Sequence, residues 1–336
     1  MIESKPHDII QNVVAQFVSE ELESDNAHIA AAVANMLDAG GKRLRPRITM
    51  LAGRARITSA EEDPLLASFM ELIHIATLIH DDVVDEADKR RGRDSTNRLF
   101  GNRFSVLAGD YLFAWVFKKI TQGYAAPIPT ILSAMLAEIC NGEVRQLRAA
   151  GDLELTKERY FEIIGKKTAE LFASCAEVGA IAALHESGAP PSQALREDPG
   201  VKALRAYGWR FGMAFQIRDD LLDVVADEAE LGKPAGSDLI ERRVTLPLIC
   251  DLEDGPRSVR TEVARYFAAL GAKKGGDPDG VRRIVGRLRD GRGVARTKAA
   301  IAEYLSGAQA ALLALPASGA RDELGDLAGT LMKFSS

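Results

Sequence analysis

The sequence predicts an all-α protein, and three observations carry that expectation. Apolar residues recur at helical spacing along almost the whole chain. Hydrophobic residues make up 46% of the 336 but aromatic residues only 6%, and Ala and Leu, both strong helix formers, dominate. No run of alternating β-branched residues is long enough to make a sheet.

The elements follow in chain order. Ile9, Ile10, Val13, Val14, Phe17 and Val18 form the apolar stripe of a first amphipathic helix. A second is expected over 27–38, stopped by Gly40-Gly41. A short helix starts around Pro46, a residue suited to a first turn. Residues 65–87 predict a long, strongly apolar helix ending in an acidic cluster, and the polar stretch 90–97 breaks the pattern. Four more long helices are expected over 104–121, 129–149, 156–184 and 199–226, separated at 123–129, at Gly151-Asp152 and near Pro190-Pro191. Residues 227–243 read as a charged loop with Gly232, Pro234 and Gly236. Shorter helices complete the tail, with breaks near 275–279, 291–293 and Pro316. No linker composition interrupts this series, so residues 1–336 are expected to form a single helical domain.

Bulk properties exclude several function classes. The net charge of −5 supplies no positive field for nucleic acid. Cys140, Cys175 and Cys250 are odd in number, far apart and set in apolar helical context, so they predict free, buried thiols of a reducing compartment. The N-terminal residues lack the apolar core of a secretory leader. The longest apolar stretch, 169–184, is interrupted by Ser174 and Glu177 and is too short for an integral membrane segment. A cytoplasmic protein is expected.

Two acidic motifs point to chemistry: Asp81-Asp82-Val83-Val84-Asp85 and Asp219-Asp220-Leu221-Leu222-Asp223. On a helix the first and last acids of each lie one turn apart on one face, roughly 5–6 Å between Cβ atoms. Carboxylates so close repel and raise one another's pKa unless a cation sits between them. One such motif is ordinarily a solvated acidic face. Two, each late in an apolar helix, carry a desolvation cost that neutral residues would avoid. Mg²⁺ takes one or two carboxylates together with phosphate oxygens and water, so a Mg²⁺–diphosphate site is the leading expectation.

Basic clusters accompany the acids. Lys42, Arg43 and Arg45 follow Gly40-Gly41 just before a helix start, an arrangement suited to an anion. Lys89, Arg90, Arg91 and Arg93 follow the first motif; Lys233, Arg242 and Arg243 follow the second. Any one of them alone reads as a solvated charge run, whereas acid and base side by side, twice over, suit a polyanion–metal site. His74 lies two turns before Asp81 on nearly the same face, where a helical His is ordinarily a core residue but could also bond a second diphosphate.

With these residues in place, the chain resembles the trans-isoprenyl diphosphate synthases, or polyprenyl synthetases, of the long-chain octaprenyl/polyprenyl type. The motifs stand in the family's order: Gly-Gly-Lys-Arg-Leu-Arg-Pro at 40–46, His74, the first Asp motif, Arg-Arg-Gly at 90–92, Gly-Asp-Tyr-Leu at 109–112, Gly-Glu-Val-Arg-Gln at 142–146, Lys-Thr-Ala at 167–169, Phe-Gln-Ile-Arg at 215–218 running into the second Asp motif, Gly-Lys-Pro-Ala-Gly-Ser-Asp-Leu at 232–239 and Thr-Leu-Pro at 245–247. Asp94 and Arg243 depart from the residues many members carry, the first in a loop and the second with its charge kept.

The resemblance implies the isoprenoid synthase fold, a bundle of long helices around a central cavity, usually as a homodimer. It implies three Mg²⁺ ions, for which Mn²⁺ can substitute, with Asp81, Asp85 and Asp219 as ligands and Asp82, Asp220 and Asp223 in support. Arg90, Lys167, Lys233 and Arg243 would hold an allylic prenyl diphosphate, farnesyl or geranylgeranyl diphosphate. Lys42, Arg45, His74 and Arg91 would hold isopentenyl diphosphate. Thr168 and Gln216 would line the space where charge develops. The expected activity is condensation of the two into an all-trans polyprenyl diphosphate. In the family, bulky aromatics four or five residues before the first motif stop chain growth early. Here those positions are Thr77 and Ala76, roughly 6–7.5 Å down the helix axis, which implies a long product of roughly six to ten units. Ile73, Met70, Phe69, Leu132 and Met135 are the next candidates for a floor. Short-chain farnesyl or geranylgeranyl synthesis and a subunit of a heteromeric synthase are the alternatives; a terpene cyclase is disfavoured by the second Asp motif and by Lys42, Arg45 and His74.

Overall fold

The computed structural model describes residues 12–13, 27–38, 41–90, 93–226, 235–255, 257–270 and 277–332. The first expected helix, at 9–18, lies outside that description apart from two residues. The chain divides into two compact units, the first comprising Met1–Ser133, Ser174–Arg205 and Ala314–Leu324, the second Ala134–Ala173, Ala206–Leu313 and Gly325–Ser336.

The first unit opens with α1 (Ala27–Asp38), α2 (Leu44–Arg56) and α3 (Pro64–Val84). Helix α3 starts cleanly because Asp63 accepts the Leu66 N–H and Pro64 occupies the first turn. Its residues from Leu66 to Ile73 are all buried, as are Ile75, Ala76 and Ile79. An antiparallel ribbon of two residues per strand, β1 (Lys89–Arg90) and β2 (Arg93–Asp94), follows. Strand is confined to it among the described residues, and such a short, wholly polar ribbon leaves no hydrophobic alternation to read. Next come α4 (Thr96–Phe100) and α5 (Asn102–Gly123), which packs along α3. Phe69 of α3 meets Trp115 of α5 and Tyr124 edge to face, with ring centroids 6.0 and 6.4 Å away. Where α2 crosses α8 (Glu170–Glu186), Gly179 lies against the Thr49 carbonyl and no side chain would fit between them.

The second unit takes most of α6 (Ile128–Arg148), then α7 (Lys157–Ile164), which runs directly into a π turn at Gly165–Ala169. The helix expected over 156–184 thus runs without a gap but carries a π bulge. Of the three cysteines expected to be buried, Cys175 and Cys250 are, whereas Cys140 on α6 is exposed. The larger part of α9 (Pro199–Val225) also belongs here. Phe172 stacks edge to face on Phe211, with centroids 5.3 Å apart, in its core. Helices α10 (Ser237–Ile240), α11 (Leu246–Asp254), α12 (Arg257–Leu270), α13 (Pro278–Arg289), α14 (Arg292–Leu312) and α15 (Gly319–Leu331) close the chain, with α15 divided between the units. Among the described residues no helix is long and apolar enough to cross a membrane.

Candidate active site

The first acidic motif closes α3. Asp81 and Asp82 lie in its last turn, and Asp85 is the capping residue, its backbone N–H donating to the Asp81 carbonyl. Asp81 and Asp85 are half-buried, whereas Asp82 is fully buried. The difference follows from the helical period, since Asp82 sits about 100° around from Asp81 and turns toward the core. Burial raises the Asp82 carboxyl above the ordinary range, and Arg90, whose Nε donates to Asp82 Oδ1 at 2.6 Å, opposes that rise. Asp82 Oδ2 is buried with no hydrogen-bond partner.

The basic residues of this unit sort by direction. Arg43, left-handed at φ 47°, turns inward and pairs with the buried Glu71 at 2.7 Å. Lys42 is exposed and Arg45 half-buried at the start of α2. His74 is half-buried, and its carbonyl accepts the Thr77 hydroxyl at 2.7 Å. Ala76 is fully buried. The expected ligand Arg91 lies outside the described residues, as does Lys233.

The second unit holds Lys167, Thr168, Gln216 and the second motif. Lys167 and Thr168 ride on the π turn, which shifts them out of the register of α7. A Cβ at Gly142 would stand 2.5 Å from the Lys167 backbone nitrogen, so only glycine lets α6 approach the turn this closely. One residue on, Glu143 forms an ion pair with Lys167. Thr168 Oγ1 donates to Gln216 Oε1 at 2.8 Å, Gln216 Nε2 donates to Asp220 Oδ1 at 2.7 Å, and Tyr160 Oη donates to Asp220 Oδ2 at 2.7 Å.

The three acids of this motif thus have different surroundings. Asp219 is exposed. Asp220 is buried with both oxygens engaged, and burial pushes its carboxyl up to about 6 against the bonds from Tyr160 and Gln216, which favour the charged form. Asp223 is buried and accepts from the Ser237 hydroxyl at 2.7 Å and from the Asp238 N–H at 3.0 Å, fastening the start of α10. Arg243 pairs with Glu241 at 2.8 Å and approaches Asp238 at 4.0 Å. A small recess of about 40 Å³ adjoins this cluster, lined among others by Gln146, Tyr160, Gln216, Asp220 and Arg243.

Among the described residues no group of three or more His, Cys, Asp or Glu side chains could hold a metal by itself. The donor set nevertheless fits Mg²⁺. Asp81 and Asp85 are hard oxygen donors one turn apart at a half-buried helix end, and Mg²⁺ draws most of its remaining ligands from water and phosphate. Sequence reasoning missed Tyr160 and assigned no role to Glu143. Glu143 stands in the Gly-Glu-Val-Arg-Gln motif at 142–146; Tyr160 has its partner 60 positions away, and no local signal marks it.

The polyprenyl synthetase family profile matches residues 26–280. Over 315 residues the chain is 36% identical to heptaprenyl diphosphate synthase component 2 of Geobacillus stearothermophilus, spanning 93% of this chain and 92% of that one. It is 40% identical over 238 residues to the octaprenyl diphosphate synthase of Escherichia coli, 71% of this chain and 70% of that one. Its fold is similar to the crystal structure of a polyprenyl synthase from Caulobacter crescentus complexed with calcium and isoprenyl diphosphate, with a TM-score of 0.84, 36% identity, and 97% and 95% of the two chains covered.

Proposed function

The chain belongs to the polyprenyl synthetase family, and from that premise we propose that it condenses isopentenyl diphosphate with an allylic diphosphate, farnesyl or geranylgeranyl, into a long all-trans polyprenyl diphosphate. The observation that carries this reading is the pairing of two acidic helix ends, each followed by basic residues, with relatives named for heptaprenyl and octaprenyl synthesis.

Asp81, Asp85 and Asp219 would be the ligands of Mg²⁺. The bound ions supply neutralisation of the leaving diphosphate. Arg90, Lys167, Lys233 and Arg243 would grip the allylic diphosphate, the arginines in forked fashion and the lysines as point charges. Ionisation breaks the allylic C–O bond, and the Thr168 hydroxyl and Gln216 carbonyl oxygen, bonded to each other, would face the positive charge that develops. Lys42, Arg45, His74 and Arg91 would orient isopentenyl diphosphate so that its double bond attacks that carbon. A C–C bond forms, and the departing diphosphate takes the proton lost. The apolar residues of α3 would help keep water from the cation.

The small buried Ala76 supports a long product. A homodimer in the cytoplasm is part of the proposal, and the exposed Phe104, Val106 and Leu107 on α5 support the dimer. A second reading has one observation in its favour: the Geobacillus relative is named as a component. On that reading a partner chain completes the enzyme. Incubation of the purified chain with Mg²⁺, radiolabelled isopentenyl diphosphate and farnesyl diphosphate decides between them. Label in long-chain alcohols after phosphatase treatment supports the first reading. No incorporation by the chain alone counts against it.

A further inference from the structure

We propose that Tyr160 is a positioning residue for the condensation: acting through Asp220, its hydroxyl fixes the Gln216 side-chain amide with the carbonyl oxygen turned toward Thr168. The inference rests on the reading of this chain as a prenyl diphosphate synthase and adds a residue outside the motifs that support it.

One hydrogen-bonded chain within the second unit links these residues. An ionised carboxylate only accepts, whereas a side-chain amide can present either its oxygen or its NH₂ group. Asp220 takes one donor on each oxygen, Tyr160 Oη on Oδ2 and Gln216 Nε2 on Oδ1. If the Gln216 amide rotated by half a turn, its oxygen would face Asp220 Oδ1, two acceptors in contact. Its NH₂ group would then face Thr168, where the carbonyl oxygen now accepts the hydroxyl. The carboxylate therefore decides which end of the amide meets the developing positive charge.

Asp220 can impose that choice only while its own rotamer is held. Each of its oxygens carries one anchor, so without either bond the carboxylate is held on one side only. The Tyr160 hydroxyl is its second anchor. Tyr160 is itself immobilised: it is 3% exposed, its N–H donates to the Thr156 carbonyl at 2.9 Å, and its ring packs on Phe161 with centroids 5.5 Å apart. A buried hydroxyl on a fixed ring is a better anchor than a long flexible side chain, because little freedom is lost in aiming it.

The test is a double-mutant cycle on the full-length enzyme with farnesyl and isopentenyl diphosphates and Mg²⁺. Tyr160→Phe removes the hydroxyl alone, and Gln216→Ala removes the group through which it is proposed to act. Tyr160→Phe is expected to lower kcat about tenfold and to leave both KM values within about twofold. In the Gln216→Ala background the same change is expected to cost less than about twofold, because the residue it positions is gone. An unchanged kcat in Tyr160→Phe, or the full tenfold loss repeated on top of Gln216→Ala, overturns the proposal. If Tyr160→Phe fails to fold, Asp220→Leu serves instead. It keeps the shape but offers the Gln216 amide no acceptor, so its kcat is expected to fall at least as far as that of Gln216→Ala; a wild-type kcat overturns the proposal. A wild-type enzyme that incorporates no isopentenyl diphosphate overturns the functional reading itself, a result distinct from an active enzyme with an additive cycle.

Discussion

Arg90 Nε stands 2.6 Å from Asp82 Oδ1, and this pair joins the ribbon after α3 to the fully buried acid in the last turn of that helix. Truncating the arginine leaves a buried carboxylate without its cation. Arg90→Ala is therefore expected to lose about 2 kcal/mol in urea unfolding, below the usual range for buried pairs because the guanidinium reaches solvent. Lys42→Ala, at an exposed position, should stay within about 0.5 kcal/mol of wild type. Equal stability of the two variants would contradict a structural role for Arg90.

Asp219 and Asp220 are neighbours in sequence with opposite surroundings. Asp219→Ala should leave the unfolding midpoint nearly unchanged yet lower kcat by about 10²–10³-fold, the cost of losing one charge-stabilising group. Chelation of wild type by EDTA should abolish incorporation, and added Mg²⁺ should restore it. Asp220→Ala should also lower the melting temperature, because it leaves the Tyr160 hydroxyl and the Gln216 amide without their acceptor.

Gly142→Ala places a methyl group against the Lys167 backbone, and α6 must draw back from the π turn. Loss of activity by more than about tenfold, with a raised KM for the allylic diphosphate, is the expected result. Gly286→Ala on α13 meets nothing within 4 Å and should stabilise the protein by about 0.5–1 kcal/mol. Steady-state kinetics and thermal melts on both variants check this.

Ala76→Phe should shorten the product. The position is fully buried on α3, about 7.5 Å along the axis from Asp81, and the larger ring also costs about 1–3 kcal/mol of overpacking. Reversed-phase sizing of dephosphorylated products is the measurement. An unchanged ladder would sink the assignment of Ala76 to chain length.

Asp198 gives the stability profile an acid limb. Arg56 donates to both of its oxygens, at 2.8 and 2.7 Å, and the N–H groups of Gly200 and Val201 donate to Oδ1. The bonds from Arg56 hold the carboxyl below its ordinary value. A depressed carboxylate contributes stability that is fully present above its unfolded-state pKa. That contribution falls away as pH drops through the folded value, so Tm should decline below about pH 4. Asp198→Asn should lower Tm at neutral pH and flatten this limb; the wild-type slope in the variant would show that other groups cause it.

The sequence by itself determined the helices and the chemical inventory. Helical periodicity is a local property, so the segments expected at 104–121, 129–149 and 199–226 correspond closely to Asn102–Gly123, Ile128–Arg148 and Pro199–Val225. The two Asp motifs stood out by residue type and spacing, whereas Lys167, Thr168 and Gln216 were singled out only through the family resemblance. The π bulge within the helix expected at 156–184 was not legible, since its packing depends on a glycine on another helix. Only the tertiary structure decided which acids face solvent and which side chains turn inward to meet an acid: Arg43 to Glu71, Arg90 to Asp82, Lys167 to Glu143 and the Tyr160 hydroxyl to Asp220. The physical reason is that desolvation penalises a buried charge or hydroxyl left alone, and the partner that packing brings within reach can lie anywhere along the chain.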